Sequence, residues 1–156
     1  MSASKPEVTI YTDGASAGKS GAPGGWCAIL VYGEHEHAIT GNDPFTTNQR
    51  MEVTAAIRGL QALKRPCKVT VVSDSAYLVN CMQQNWHEKW VKNGWKNAKN
   101  KAVSNRDLWE ELLTAIKRHD TSFAHVRGHN GHIYNEKCDF LAVEAKKAGE
   151  CASVTN

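Results

Sequence analysis

The sequence predicts an α/β fold: a mixed five-stranded sheet, three antiparallel strands plus two parallel ones, flanked by helices and interrupted by a basic, tryptophan-bearing segment. Three observations predict it. Residues 8–40 hold three runs rich in β-branched and aromatic residues, separated by glycine-bearing turns, as in an antiparallel meander. Residues 46–147 then alternate strand and helix patterns, which calls for parallel pairing. Residues 86–101 interrupt that alternation with lysines and three tryptophans.

Each element has its own signal. Residues 8–12 and 26–32 read as strands, with a Gly-rich turn over 14–25, and residues 35–40 read as an edge strand. Residues 46–64 read as a helix: Thr46 and Gln49 are spaced as a capping box, and Val53, Ala56, Ile57, Leu60 and Leu63 recur at helical spacing. Pro66 stops it, and residues 68–73, with Val69, Val71 and Val72, form a buried strand. A helix over 74–84 follows, then a basic segment that starts helical and opens at Gly94. Leu108, Leu112, Leu113 and Ile116 mark an amphipathic helix with Ser104 or Asn105 at its start. Residues 122–126 are the last strand and 135–147 the last helix.

The 156 residues suit one domain, expected over 7–149, with flexible ends at 1–6 and 150–156 and a distinct basic segment over about 85–102. Net charge is only +3, but residues 86–106 hold six basic residues against one acid, Glu88. The rest of the chain is slightly acidic, and a basic patch on such a body points to a polyanion. The five cysteines form neither a C-x-x-C pair nor a Cys/His zinc pattern, so reduced thiols and a cytoplasmic location are expected. No stretch reads as a signal core or a membrane span.

Four acids stand at positions that a solvated charge does not explain as a set. Asp13 ends the first strand, and Asp74 directly follows the fourth. As parallel neighbours, these strands would place both carboxylates where open α/β sheets bind ligands. Glu52 lies about 40° from Ala56 on its helical wheel, and Asp139 about 60° from Ala142, each beside a buried stripe. Any one of them alone reads as a cap, a turn residue or a rim charge. Together they form an oxygen-only donor set, which selects Mg²⁺ or Mn²⁺ over zinc or copper. Such clusters commonly hold two ions for phosphodiester chemistry. His129, in a Gly-rich segment before the helix of Asp139, can move protons near neutral pH; the plainer reading is a solvated loop histidine.

Tyr11-Thr12-Asp13-Gly14-Ala15, Asn48-Gln49-Arg50-Met51-Glu52, Ser73-Asp74-Ser75, Val126-Arg127-Gly128-His129 and Asn135-Glu136-Lys137-Cys138-Asp139 resemble, in order and spacing, the motifs of bacterial-type ribonuclease HI, ribonuclease H of type 1. The similarity runs over about residues 8–149. It implies a single ribonuclease H domain that cuts the RNA strand of RNA–DNA hybrids, acts as a monomer, and leaves 5′-phosphate and 3′-hydroxyl ends. The resemblance makes Asp13, Glu52, Asp74 and Asp139 the ligands of two Mg²⁺ ions held with substrate, with Mn²⁺ as an alternative, and His129 the proton carrier. It places Thr47 and Asn105 at a phosphate of the DNA strand, and Asn48 and Gln49 near the minor groove, where 2′-hydroxyls mark RNA. Trp86, Lys92, Trp95, Lys96 and Lys99 would be handle contacts, the lysines gripping phosphates. Trp90 and Trp109 are expected to pack the handle, while for Trp86 packing and nucleic-acid contact stay open.

The chain departs from that pattern at Gln49, where Asn is usual, at Ala76, where a polar residue often stands, and at Val91 and Asn93, which are often basic. These changes bear on affinity more than on chemistry. Residues 14–20 fall one residue short of a P-loop, and Pro23-Gly24-Gly25 follows in place of a helix, so an NTPase is excluded. A DDE-type nuclease or integrase relative, and a non-catalytic hybrid-binding module, are the alternatives.

Overall fold

A computed structural model describes residues 5–16, 22–97, 99–126 and 133–154. Within them the chain runs β1 (Glu7–Ser16), β2 (Ala22–Tyr32), β3 (His35–Thr46), α1 (Asn48–Gln61), β4 (Lys68–Ser73), α2 (Ala76–Gln83), α3 (Trp86–Lys92), α4 (Arg106–Ile116), β5 (Asp120–His125) and α5 (Ile133–Val154). The sheet order is β3-β2-β1-β4-β5, with antiparallel pairing on the β1 to β3 side and parallel pairing among β1, β4 and β5. This is the mixed five-stranded sheet expected.

Several boundaries differ from expectation, each for a visible reason. β1 does not end at Asp13: its antiparallel ladder with β2 continues to Ser16↔Gly24, while its parallel ladder with β4 stops at Thr12↔Ser73. Much of the supposed turn over 14–25 is therefore paired strand. β3 likewise extends to Thr46, because β2 keeps pairing with it past a register shift near Ala22 and Gly24. Thr46 is buried at the end of β3, and the cap of α1 is Thr47, whose Oγ1 accepts the Arg50 N–H at 3.2 Å. α1 ends at Gln61, before Pro66, and Ser75 caps α2 by accepting from Leu78. α5 runs through Val154, into the stretch expected as a tail.

Strand alternation divides the core between the two faces of the sheet. Val8, Ile10, Ala28 and Leu30 point to one face and pack with Val53, Ala56, Ile57 and Leu60 of α1. Tyr11, Cys27 and Ile29 point to the other and meet Cys138 and Ala142 of α5. Each fully buried Ile or Leu in the first layer contributes about 1.5–3 kcal/mol by leaving water.

Two glycines set how closely the helices approach. A Cβ on Gly14 would lie 2.6 Å from the backbone nitrogen of Glu52. One on Gly25 would lie 2.4 Å from the carbonyl oxygen of Ala142 and the nitrogen of Lys146. The main chains of α1 and α5 therefore rest directly on strand backbone at these points.

Candidate active site

The parallel ladder between β1 and β4 ends at Thr12 and Ser73, so Asp13, still within β1, and Asp74, just past the end of β4, follow it directly. Gly14 lets the start of α1 close over β1, and this brings in Glu52. One carboxylate oxygen from each of Asp13, Glu52 and Asp74 lies within 4.8 Å of the others. Asp13 is 3% exposed and Glu52 9%, so both charges are largely withdrawn from water.

The electrostatics follow from that placement. The Asp13 carboxyl is pushed up to about 7, first by burial and then by Asp74. The hydrogen bond with Glu52 and the Gly14 N–H, 2.9 Å from Oδ1, pull the other way. Glu52 is raised well above the carboxylate range, again first by burial and then by Asp13 and Asp74. Its Oε2 is buried without a protein partner. Three convergent carboxylates, with one orphaned oxygen and no sulfur or imidazole donor among them, can hold a hard divalent cation.

Asp139 lies outside this group of three, half-buried on α5, yet near enough for its charge to raise Asp13. His129 falls outside the described residues. His125 is exposed and ends β5, with Nε2 3.2 Å from the Asp74 carbonyl oxygen.

The expected nucleic-acid residues fall into two groups. At the N-termini of α1 and α4, Thr47 and Asn105 are half-buried, while Asn48 and Gln49 are exposed on the first turn of α1. Arg50 bridges these two termini: Nη1 reaches Asn105 Oδ1 at 3.3 Å, and the guanidinium pairs with both Asp107 oxygens at 3.0 and 2.8 Å. Sequence reasoning alone gives Arg50 no role. The available signal is a cation in the first turn of a helix, where the macrodipole disfavours it unless an acid compensates.

In the handle, Lys92, Lys96 and Lys99 are exposed, and among the described residues none enters an ion pair. Trp95 does not face outward. It is 8% exposed, its ring centroid 6.0 Å from that of Trp90, with the Arg106 guanidinium over it at 5.2 Å. Its φ of +65° is costly for a bulky residue and is held by that packing. Trp90 and Trp109 pack as expected, 5.7 Å apart. Trp86 is half-buried and, with Lys89, Trp90, Asn93, Lys96 and Asn97, lines a groove of about 420 Å³.

Comparison with known proteins agrees with this geometry. The family model described as RNase H matches residues 5–147. A Ribonuclease H of Chlorobaculum parvum is 54% identical over 86% of this chain and 92% of its own length. A Ribonuclease H of Symbiobacterium thermophilum is 52% identical over 92% of this chain and 97% of its own. Among solved structures, LC9-RNase H1, a type 1 RNase H with the type 2 active-site motif, superposes with a TM-score of 0.84 at 28% identity, over 96% of this chain and 76% of that one.

Proposed function

The chain belongs to the RNase H family, and on that premise we propose that it is an endonuclease that hydrolyses the RNA strand of RNA–DNA hybrids, with Mg²⁺ as its cofactor. The observation that carries the proposal is the convergence of Asp13, Glu52 and Asp74 at the carboxyl end of the β1/β4 ladder.

Asp13, Glu52 and Asp74 would hold the cation, Asp139 would add a fourth ligand from α5, and two ions would be held when substrate is present. When bound, the ions lower the pKa of the attacking water and stabilise the departing 3′-oxygen. The protein's contribution is placement. Asp13 and Asp74 are fixed by adjacent strands, so their oxygens need no rearrangement before the reaction. Burial keeps the Asp13 and Glu52 carboxylates away from competing water, which would strengthen their hold on a cation. His129 carries a proton to or from the reacting oxygens and assists product release.

Binding is assigned to other parts of the surface. Thr47 and Asn105 take a phosphate of the DNA strand, while Asn48 and Gln49 read the minor groove and its 2′-hydroxyls. Lys92, Lys96 and Lys99 grip backbone phosphate, with Trp86 beside them; Trp95 serves as packing. All these groups lie on one chain, which supports a monomeric enzyme. The four described cysteines are buried and unpaired, which supports a reducing, cytoplasmic setting.

The test is cleavage of a fluorescent RNA–DNA hybrid with Mg²⁺ and with EDTA, beside duplex DNA of the same sequence. Metal-dependent scission of the RNA strand alone is expected. Cutting of duplex DNA would favour an integrase-like nuclease, and metal-insensitive binding without scission would favour a non-catalytic hybrid-binding module.

A further inference from the structure

We propose that Arg50 is a positioning residue whose side chain fixes Asn105 as a hydrogen-bond donor toward the bound phosphate, without touching the phosphate itself; this rests on the reading that Thr47 and Asn105 hold a backbone phosphate. Both residues carry ambiguous side chains. A hydroxyl can donate or accept, and an amide can present either its oxygen or its NH₂. A phosphate accepts only, so a site built from such groups works only if their polarity is set.

The first turn of α1 sets both, the second through the Arg50 side chain. The backbone N–H of Arg50 donates to Thr47 Oγ1 at 3.2 Å, as that of any residue but proline would, which occupies a lone pair and leaves the hydroxyl proton to be given elsewhere. Its guanidinium donates to Asn105 Oδ1 at 3.3 Å. Flipping that amide would set NH₂ against a guanidinium, donor against donor, so Nδ2 is directed away from Arg50. The backbone of Asn105 cooperates: it is left-handed at φ +63° and its side chain makes no cap bond to α4, which frees Oδ1 for Arg50.

The charge on Arg50 is committed elsewhere. Both its η nitrogens pair with Asp107, on the first turn of α4. The two side chains are 31% and 65% exposed, so the ion pair by itself contributes little to stability. Its geometric effect is to lock the guanidinium plane and so the Asn105 amide. Lysine, a single point of charge, cannot serve Asp107 with two parallel bonds and Asn105 with a third.

The experiment uses the full chain in Mg²⁺ and compares Arg50→Met, Arg50→Lys, Thr47→Ala, Asn105→Ala and the double variant Arg50→Met/Asn105→Ala. KM, kcat, the salt dependence of hybrid affinity and the thermal midpoint are measured for each. Arg50→Met should raise KM about 5–10-fold with kcat within about twofold, as expected for loss of oriented hydrogen bonds. Arg50→Lys should not restore KM. In the Asn105→Ala background, Arg50→Met should change KM by less than about twofold, because the amide it acts through is gone. The salt slope should stay unchanged. A slope lowered by about one with full additivity in the double variant would make Arg50 a direct phosphate ligand and overturn the proposal. So would an unchanged KM for Arg50→Met beside a raised KM for Asn105→Ala. Unchanged KM for both Thr47→Ala and Asn105→Ala would instead remove the phosphate site itself. A merely structural arginine would lower the thermal midpoint equally in both backgrounds and leave KM alone.

Discussion

The carboxylate cluster and the handle are built on opposite principles. Asp13, Glu52 and Asp74 are like charges forced together on buried backbone, pinned by two strand ladders and a glycine contact. The handle sets its lysines out in water, on a short helix and a turn held from beneath by tryptophans packed at tilted angles. The cluster is costly until a cation arrives, and its geometry admits little variation. The handle has no such requirement, because a diffuse phosphate field is served by charges whose exact positions matter little. On the proposed reading, chemistry rests on rigid, buried elements and affinity on exposed, tolerant ones; two of the departures from the family pattern, Val91 and Asn93, fall in the handle.

The largest expected effect tests the rigid side. Asp13→Asn or Asp74→Asn should lower kcat by on the order of 10³-fold or more while hybrid binding persists, because each removes a ligand but no phosphate grip. Single-turnover cleavage beside a gel-shift measurement checks both halves, and wild-type turnover in either variant would dissolve the contrast. His129→Ala should reduce the rate by about 10²-fold without abolishing it, as for a proton carrier that water can replace in part. Complete loss would place His129 nearer the bond-breaking step.

A third prediction concerns stability. The folded Asp13 carboxyl titrates at about 7, against an ordinary 3.8. Between these values the folded protein retains a proton that the unfolded chain has lost, so stability falls as pH rises through that window and levels off above it. The loss from Asp13 in metal-free protein should reach about 2–4 kcal/mol, several degrees in Tm. Calorimetry in EDTA at pH 5 and pH 8 checks this. Asp13→Asn should flatten the trend, Mg²⁺ should recover the midpoint at pH 8, and a midpoint that climbs with pH in EDTA would contradict it. The smallest effect belongs to the handle. Neutralising Lys92, Lys96 and Lys99 together should raise KM several-fold and reduce the salt slope by about 0.9 for each phosphate no longer neutralised, with kcat retained. An unaltered slope would remove the handle from the binding account.

How much of the molecule is legible in its sequence depends on the range of the interaction. β4 is readable at its full extent, because its ends are set by local signals: Pro66 before it and Asp74-Ser75 after. β1 and β3 read as shorter than they are, since their last residues are strand only because β2 lies alongside, and a tight stretch of Gly14, Gly24 and Gly25 reads locally as a turn. The acids stand out because a carboxylate beside an apolar stripe is an anomaly visible in one dimension. Trp95 reads as outward-facing because nothing local announces a tryptophan with left-handed backbone turned into a ring cluster. Arg50 escapes notice for the converse reason: its partners Asn105 and Asp107 are 55 and 57 residues away, and only the folded chain makes them neighbours.

The bare backbone at Gly25 has a consequence for evolution at a distance. Ala142 and Lys146 lie directly on it, and Asp139 sits one helical turn before Ala142. Any side chain at residue 25 would act as a shim under α5, the helix that carries Asp139, and something there would have to give way. A methyl group at residue 25, which need touch neither metal nor nucleic acid, would thus act on the proposed centre through the helix it lifts, so the spacing beneath Asp139 rests on the single hydrogen that glycine carries there.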